Sequence, residues 1–489
     1  MAFRGVWGLG RASPGPRVWP PTPDPNPALQ IPQRFLMGPG PGNSDPRVLA
    51  TQSLPLLGHM AACSLDHHPD RFALSTIVPP VCTTLTRPAP SPTHPTPSNI
   101  PPRHPPFLKI MDEVRQGLKY VFQTESNYTL CVSGTGHAGM ESTLVNLLEP
   151  GETLLVGNKG IWGARVVDMA RRMGVNVVDL KKEAGRTFSL EELTAAVKEH
   201  RPAVVFLVQG DSSTGVHQSL AGVGPMCAEH GALLLVDTVC SLGGVPMFAD
   251  AWGVDAIYSG SQKCLSAPPG AAPLFLSERA LAKVRGRKTP VASYYFDLNL
   301  VGDYWGWYGS RSYHHTGMVS MWYAMREALA IVAEEGLEAG WARHAAAHDQ
   351  LWAGLTELGL EHFVPAPEDR LVTVNTIKVP EGVDWAALCK FAMERYAVEI
   401  AGGLGPTAGK IWRVGIMGYN AKPANIELVL AAFRDGLAAQ GWAKNACGLI
   451  SMAPPERSTP GVNRCQKISE TGRGGRQAGL ASLCRAAGT

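Results

Sequence analysis

The sequence predicts an α/β protein built on a mostly parallel sheet, because short apolar runs alternate with amphipathic stretches along the central part of the chain. Most of the runs are almost continuously apolar, which is typical of parallel strands that helices cover on both faces. Most of them are bounded by Gly, Asp or Asn, as is common where a strand meets a loop. The predicted strands cover residues 153–156, 175–180, 204–208, 233–236 and 256–258.

Helices are predicted between these strands. Residues 111–123 place apolar side chains three or four positions apart, which puts them on one helix face. Residues 189–198 begin with Ser189 and Glu192, the spacing of a capping box in which each side chain binds the other residue's backbone N–H. These helical stretches supply the layers that cover the sheet.

The pattern changes near Gly336 to helix, strand, helix, strand and helix, with strands predicted at 372–379 and 411–416. We therefore predict a large domain of residues 34–335 and a smaller C-terminal α+β domain of residues 336–444. A cleft between two such units is a common place for a small-molecule site.

Three segments show neither a helical nor a strand period. Residues 1–33 form an N-terminal arm rich in Pro, Gly and Arg, which is either a targeting segment or an untargeted tail. Residues 61–103 are a Pro-rich insertion, and residues 445–489 are rich in Gly, Arg and Ser. Both of these segments are predicted to be disordered, because they contain too little apolar surface to offset the entropy of ordering.

Composition excludes several classes of function. The net charge of +3 over 489 residues, without a stretch of interleaved basic and aromatic residues, argues against a nucleic-acid partner. No run of about eighteen apolar residues occurs, so no membrane span is expected. The ten cysteines form neither a C-x-x-C pair nor a cluster with histidine, which argues against a metal site and a disulfide framework. The expected partner is a small molecule.

Lys263 is the first candidate for chemistry. It follows the predicted strand at 256–258 and precedes the rigid turn 267–270. A lysine at a strand end beside a dry pocket can present a neutral amine that forms an imine with an aldehyde. A single lysine at the start of a loop is more often an ordinary surface residue, so this interpretation needs further residues.

Asp237 is the second candidate, because it ends the apolar run 233–236. A carboxylate at this edge of the sheet can hold a proton on a pyridine nitrogen, which makes pyridoxal phosphate an electron sink. Taken alone, an aspartate after a strand is more often a helix cap. The combination with Lys263 favours the cofactor interpretation.

A glycine-rich turn at 133–141 is the third candidate. The free N–H groups at the start of a helix, together with the Thr135 hydroxyl, form a ready site for a phosphate. The spacing does not match the nucleotide motifs G-x-x-x-x-G-K-[ST] or G-x-G-x-x-G. His137 in this turn is either a phosphate-site residue or an ordinary helix-start residue.

Together with these candidates, six short motifs resemble the alanine-glyoxylate (serine-pyruvate) aminotransferases, class V enzymes of the fold-type-I pyridoxal-phosphate group. The resemblance covers roughly residues 34–443 with one interruption, and the combination of motifs is far more specific than any one of them. It implies a mostly parallel seven-stranded sheet between helices, a smaller C-terminal domain, pyridoxal 5'-phosphate as cofactor and a homodimer. The motifs lie at 158–163, 211–215, 236–237, 258–263, 313–316 and 402–405.

The resemblance also implies roles for individual residues around the cofactor. Lys263 would be the Schiff-base lysine, and Asp237 would pair with the pyridinium nitrogen. Trp162 would stack on the ring face, and Ser212 would reach the side of the phenolic oxygen. The phosphate would be held by Thr135, Gly136, His137 and Gln262.

Three further residues are assigned in the same way. Tyr313 and Thr316 would reach the phosphate of the neighbouring subunit, so that the two sites of a homodimer share residues. Arg413 would bind the substrate carboxylate with its planar guanidinium. Outside this context, an ion pair at the surface is the commoner role of an arginine.

The implied reaction is the transamination of alanine or serine with glyoxylate, which gives pyruvate or hydroxypyruvate and glycine and detoxifies glyoxylate. The amine of Lys263, once displaced by the amino acid, would move a proton from the substrate Cα. Ping-pong kinetics are expected, because the amino group stays on the enzyme between the two half-reactions.

The chain departs from this family at the insertion 61–103, since relatives run almost directly from the segment 57–60 to the segment 104–107. Such an insertion threatens dimerisation, so an alternative is a catalytically impaired chain that acts only by association. Another alternative is a desulfurase or lyase of the same fold, for which Cys264 beside Lys263 is badly placed.

The cellular location is predicted to be the mitochondrion or the peroxisome. The last three residues, 487–489, differ from the tripeptide address of the peroxisomal family member. Arg4, Arg11 and Arg17 favour the mitochondrion.

Overall fold

The computed structural model describes residues 32–57, 105–309 and 311–442. The predictions made for residues 1–31, 61–103 and 445–489 therefore lie outside the described residues. The described part contains twelve α-helices: α1 Pro46–Thr51, α2 Pro105–Phe122, α3 Gly136–Leu147, α4 Ile161–Arg172, α5 Leu190–His200, α6 Val223–Glu229, α7 Glu278–Arg285, α8 Leu298–Trp305, α9 Val319–Glu335, α10 Leu337–Glu357, α11 Trp385–Tyr396 and α12 Pro423–Ala438.

The same residues contain fourteen strands, several of them only two residues long. Short 3-10 helices lie at Pro367–Asp369, Gly405–Thr407 and Gly418–Asn420. The strands are β1 Phe35–Leu36, β2 Thr129–Ser133, β3 Thr153–Asn158, β4 Asn176–Lys181, β5 Val204–Val208, β6 Gly210–Asp211, β7 Val216–His217, β8 Leu233–Asp237, β9 Ala256–Tyr258, β10 Ala271–Leu276, β11 Val374–Lys378, β12 Val398–Glu399, β13 Ala401–Gly402 and β14 Ile411–Gly415.

The main sheet has seven strands in the order β2-β10-β9-β8-β5-β3-β4. Strands β9, β8, β5, β3 and β4 pair in parallel, whereas β10 is antiparallel to both of its neighbours. The predicted α/β fold with a mostly parallel seven-stranded sheet is therefore confirmed. All five strands predicted for this sheet are present.

Strand β10 is absent from the strands that the sequence predicts. Its six residues are all buried, but Pro273 interrupts the run and brings no N–H to the ladder. The strand is held by its partners instead: the backbone N–H of Ser259 donates to the Pro273 carbonyl at 2.9 Å. Residues 271–276 therefore form a strand because they pair with β2 and β9, and not because of their local propensity.

The helices predicted from the sequence are also present. The four apolar residues of the predicted face of α2, Met111, Val114, Leu118 and Val121, are at most 1% exposed. The capping box of α5 forms as expected. The N–H of Glu192 donates to the Ser189 hydroxyl at 3.2 Å, and the N–H of Ser189 donates to the Glu192 carboxylate at 2.8 Å.

Two large hydrophobic cores stabilise the fold. The first lies around the seven-stranded sheet, and the second lies around the three-stranded antiparallel sheet β11-β14-β13 with α10, α11 and α12. Both strands predicted for the C-terminal part, β11 and β14, belong to this smaller sheet. The division into domains at residue 336 stays a prediction. No helix of the described residues is long and apolar enough to cross a bilayer.

Candidate active site

The carboxyl ends of the parallel strands bring the predicted residues to one edge of the main sheet. Open α/β sheets bind their ligands at this edge. A cleft of about 190 Å³ lies there. Eight predicted residues line it: Thr135, Gly136, His137, Trp162, Ser212, Asp237, Gln262 and Lys263. Five further residues line it that the sequence did not single out as site residues: Met140, Gly210, Val239, Cys240 and Tyr258.

Lys263 reaches the cleft from the loop after β9, and its side chain is partly buried. Its Nζ donates to the backbone carbonyl of Pro39 at 2.5 Å. Gly40 follows with a φ of +106°, and a Cβ at this position would lie 2.0 Å from Nζ. The Lys263 side chain therefore occupies space that any side chain at position 40 would fill. The sequence gives no local signal for this contact, because 224 positions separate Pro39 from Lys263.

Asp237 is the last residue of β8 and is only 3% exposed. Burial raises the pKa of its carboxyl to about 6, although two hydrogen bonds oppose the shift. The Val239 N–H donates to one carboxylate oxygen at 2.8 Å, and the Tyr258 hydroxyl donates to the other at 2.6 Å. Each oxygen keeps a lone pair for a further donor, so the acid can serve a cation or an N–H group in the cleft.

Tyr258 is a site residue that sequence reasoning missed. It is fully buried at the end of β9, and burial next to the Asp237 carboxylate raises the pKa of its hydroxyl. The signal lies in the sheet register, since Asp237 and Tyr258 are partners in the parallel pair β8-β9. Two polar residues that end neighbouring parallel strands meet in this way.

The start of α3 forms the wall of the cleft where a phosphate can bind. Gly134 has a φ of +142°, and a Cβ there would lie 2.5 Å from the Ala138 Cβ, so the tight turn needs glycine. Gly136 and His137 open the helix, where backbone N–H groups have no acceptor within the helix. The Thr135 side chain makes no capping hydrogen bond. The N–H groups of Gly136 and His137 and the Thr135 hydroxyl are thus available for an anion.

His137 is held by a residue that was not predicted. Arg165 Nη1 lies 3.1 Å from His137 Nε2, and burial followed by the charge of Arg165 lowers the pKa of the imidazole. Since arginine only donates, Nε2 accepts and the imidazole is neutral. The His137 ring also packs edge-on against Trp162, with 5.6 Å between ring centroids.

Trp162 and Ser212 are joined directly. The Trp162 Nε1 donates to the Ser212 hydroxyl at 2.9 Å. Gln262 also lines the cleft. Its side-chain oxygen is buried and accepts no hydrogen bond from the described residues. A buried amide oxygen of this kind is costly unless a ligand binds it.

The structure does not bring the remaining three predicted residues to the cleft lining. Arg413 on β14 donates from Nε to the Gly402 carbonyl at 2.7 Å and from Nη1 to the Ser212 carbonyl at 2.9 Å. Tyr313 and Thr316 are exposed and lie 3.3 Å apart, hydroxyl to hydroxyl. Arg413 therefore does not line the cleft but contacts Ser212, which does. Tyr313 and Thr316 face outward.

A lysine, a buried acid and a phosphate-binding helix start at one edge of a parallel sheet define a pyridoxal-phosphate enzyme of the α/β type. The chain belongs to the class-V aminotransferase family, whose sequence model matches residues 97–424. It is an aminotransferase, and its cofactor is pyridoxal 5'-phosphate.

Several known proteins are similar over most of the chain. Alanine-glyoxylate aminotransferase of Drosophila melanogaster is 44% identical over 84% of this chain and 93% of that protein. The enzyme of the same name from Rattus norvegicus is 42% identical over 84% and 89%. Among solved structures, alanine-glyoxylate aminotransferase from Nostoc sp. matches with a TM-score of 0.74 and 42% identity, covering 85% of this chain and 98% of the other.

More distant relatives bear on the alternatives. Ureidoglycine-glyoxylate aminotransferase from Bacillus subtilis matches with a TM-score of 0.74 and 32% identity over 86% of this chain and 97% of the other. A cysteine desulfurase from Thermococcus onnurineus matches with a TM-score of 0.54 and only 13% identity, which indicates the shared fold alone. The desulfurase and lyase alternative therefore gains no support.

The residues of the cleft fit pyridoxal phosphate. The Gln262 carboxamide and the N–H groups of Gly136 and His137 lie on the cleft wall and offer bonds to a phosphate. Asp237 offers a buried acceptor for the ring nitrogen, and Lys263 offers an amine on the same cleft. A phosphorylated ring with a basic nitrogen and an aldehyde uses all of these groups.

Proposed function

We propose that this enzyme transfers the amino group of alanine or serine to glyoxylate and so forms pyruvate or hydroxypyruvate and glycine. The main support for an aminotransferase is the cleft in which Lys263, Asp237 and the start of α3 lie together. The substrate assignment is supported by relatives that are named for glyoxylate and are 40–44% identical over most of the chain. No observation supports the alternative of a catalytically impaired chain that acts only by association.

The roles of the cleft residues follow from their chemistry. Bound pyridoxal phosphate supplies an aldehyde for a covalent bond and a ring that withdraws electrons from the substrate Cα. Lys263 Nζ would hold the cofactor through that aldehyde and, when free, would accept the proton of the substrate Cα. Asp237 would accept a hydrogen bond from the protonated ring nitrogen. In its neutral state His137 adds no charge beside the phosphate.

The other residues bind and orient. Thr135, Gly136, His137 and Gln262 would hold the phosphate. Trp162 would cover one ring face, and Ser212 would donate to the phenolic oxygen. Because the Ser212 hydroxyl also accepts from Trp162 Nε1, its own proton points elsewhere and is available to the cofactor. One hydroxyl thus orients both the indole and the ring.

Arg413 is the proposed ligand of the substrate carboxylate. Its two hydrogen bonds to carbonyls fix the guanidinium plane, and burial lowers the pKa of the group without removing its charge. These two bonds use two of the five N–H groups of the guanidinium. The second proton of Nη1 and both protons of Nη2 remain for a substrate carboxylate, so Arg413 can bind it while still holding the Ser212 carbonyl.

A half-reaction assay tests the proposed function. Addition of alanine to the holoenzyme, without a keto acid, is expected to remove the visible absorbance of the bound cofactor and to release one pyruvate per site. Glyoxylate should then restore the absorbance with one glycine per site. Serine is expected to act in the same way, and bulky aspartate is the comparison. If no amino acid alters the spectrum of a cofactor-loaded sample, the proposal is wrong.

A homodimer is the proposed assembly. Tyr313 and Thr316 are exposed and lie outside the cleft of their own chain, which supports a role toward a partner's phosphate. Light scattering of the full-length holoenzyme is expected to give twice the 52.2 kDa of one chain. Tyr313→Phe should weaken cofactor binding several-fold without changing that mass. A monomer that lacks cofactor would instead favour the impaired chain that the insertion 61–103 suggests.

The location in the mitochondrion or the peroxisome stays a prediction, because it depends on residues outside the described ranges. Imaging of the full-length chain with an internal tag would decide it.

The boundary between the large and small domains likewise stays a prediction. Limited proteolysis near Gly336 would address it.

A further inference from the structure

Helix α4 carries Trp162 as its second residue but begins without a cap of its own. The residue before it, Gly160, has no side chain, and no side-chain hydrogen bond caps the helix from that position. The first N–H groups of a helix need acceptors, and the lack of one frays the first turn. Trp162 lies in that turn, so its position depends on whatever replaces the cap.

The missing cap comes from a distant segment. The Ser213 hydroxyl accepts a hydrogen bond from the Ile161 N–H, the first of α4, at 3.1 Å. The same hydroxyl donates to the Asp211 carboxylate at 2.5 Å, and that carboxylate also accepts from the Ser213 N–H at 2.8 Å. Asp211 and Ser213 are at most 1% exposed. A buried carboxylate beside a helix start is further stabilised by the helix dipole.

Glycine at position 160 is what permits this arrangement. A Cβ on Gly160 would lie 2.3 Å from the second oxygen of Asp211 and 2.4 Å from the Ser213 hydroxyl. A capping side chain at 160 and the pair Asp211–Ser213 thus exclude each other. The chain uses the pair.

The turn that contains Ser213 is itself held in place. Three successive backbone carbonyls accept hydrogen bonds from side chains of the C-terminal sheet and its loop, at 2.9, 3.3 and 3.1 Å. The turn therefore presents its side chains from a fixed backbone. The carbonyls of Ser212, Ser213 and Thr214 accept from Arg413, Thr407 and Thr376, respectively.

We propose that Ser213, oriented by Asp211, is a positioning residue for Trp162. Neighbouring serines of one turn hold the tryptophan at two points: Ser213 fixes the start of its helix, and Ser212 accepts from its indole nitrogen. Ser213 acts on the cofactor only through Trp162. The inference rests on the proposed stacking of Trp162 on the cofactor ring.

The test measures cofactor affinity and ring orientation rather than turnover. Cofactor-free Ser213→Ala is titrated with pyridoxal phosphate, and the visible circular dichroism of the complex is recorded. Loss of a helix cap predicts an affinity about tenfold weaker and a reduced dichroic band. Ser219→Ala is the matched control, because Ser219 is an exposed serine of the same segment and lies outside the cleft. It should change neither readout.

A double-mutant cycle decides whether Ser213 works through Trp162. Trp162→Leu, which removes the aromatic ring, should weaken cofactor binding, and adding Ser213→Ala should weaken it less than twofold further. A full tenfold further loss would overturn the inference, since Ser213 would then act independently. An unchanged affinity in Trp162→Leu would instead contradict the proposed stacking. If Ser213→Ala does not fold, Ser213→Cys, whose sulfur is a weaker hydrogen-bond acceptor at the same position, replaces it in the cycle with the same two outcomes.

Discussion

Lys263→Ala is expected to lower kcat at least about 10³-fold and to abolish the visible absorbance that a covalently bound cofactor gives. The magnitude follows from the loss of both the covalent amine and the general base. The variant should still bind pyridoxal phosphate, because the phosphate wall around Gly136 and the acceptor Asp237 are unchanged. Spectra and kcat of the purified variant check the result.

A second buried lysine makes this prediction specific. Lys159 is 3% exposed, burial lowers the pKa of its amine to about 8, and its Nζ donates to the Val208 carbonyl at 2.6 Å. A lowered pKa alone would make Lys159 the better candidate for an imine-forming amine. Its side chain, however, does not line the cleft that holds Asp237 and Gln262.

Borohydride reduction of the holoenzyme distinguishes the two amines. Peptide mapping is expected to find the reduced cofactor on Lys263 and none on Lys159. Lys159→Met, a variant of similar side-chain volume, should keep kcat within tenfold of the parent and should retain the visible absorbance. Label on Lys159, or full activity of Lys263→Ala, would refute the assignment.

The part of the site that could be predicted from sequence is the part that strand ends determine. Asp237 ends β8 and Lys263 follows β9, and these strands are neighbours in the sheet. Continuous apolar runs locate such strands, and parallel strands place their carboxyl ends at one edge. The meeting of the acid and the lysine therefore follows from local patterns together with a single rule of topology.

The part that could not be predicted consists of contacts across long separations. The Pro39 carbonyl that accepts from Lys263 and the Ser213 cap on Ile161 join residues 224 and 52 positions apart. No local period encodes which side chain faces which, because tertiary packing selects the pairs. The same limit applies to Arg413, whose hydrogen bonds to carbonyls no motif indicates.

Asp237→Asn is expected to lower kcat by roughly 10² to 10³, the usual effect of removing one preorganised electrostatic partner. Asparagine keeps the shape and can still accept from Tyr258, but it carries no charge to stabilise a protonated ring nitrogen. Asp255→Asn is the control. Asp255 is 2% exposed, and burial raises the pKa of its carboxyl too, but it precedes β9 and so lies at the opposite edge of the sheet. That variant should keep kcat within a few-fold of the parent.

The pKa of Asp237 gives the same variant a signature that does not depend on turnover. In the cofactor-free protein, burial raises this pKa to about 6 from an ordinary value of 3.8, so the folded state binds a proton that the unfolded state has lost. The free energy of unfolding should therefore fall as pH rises from about 4 to about 6, by about 3 kcal/mol from this one group. Urea unfolding of the cofactor-free parent and of Asp237→Asn across this range isolates the contribution, since asparagine does not titrate. Saturating pyridoxal phosphate should remove most of the difference, because a cationic ring nitrogen beside the carboxylate favours its charged form. Equal pH dependence of the parent and the variant without cofactor would show that the acid is already ionised in the empty cleft, and that a cation within the fold balances its charge.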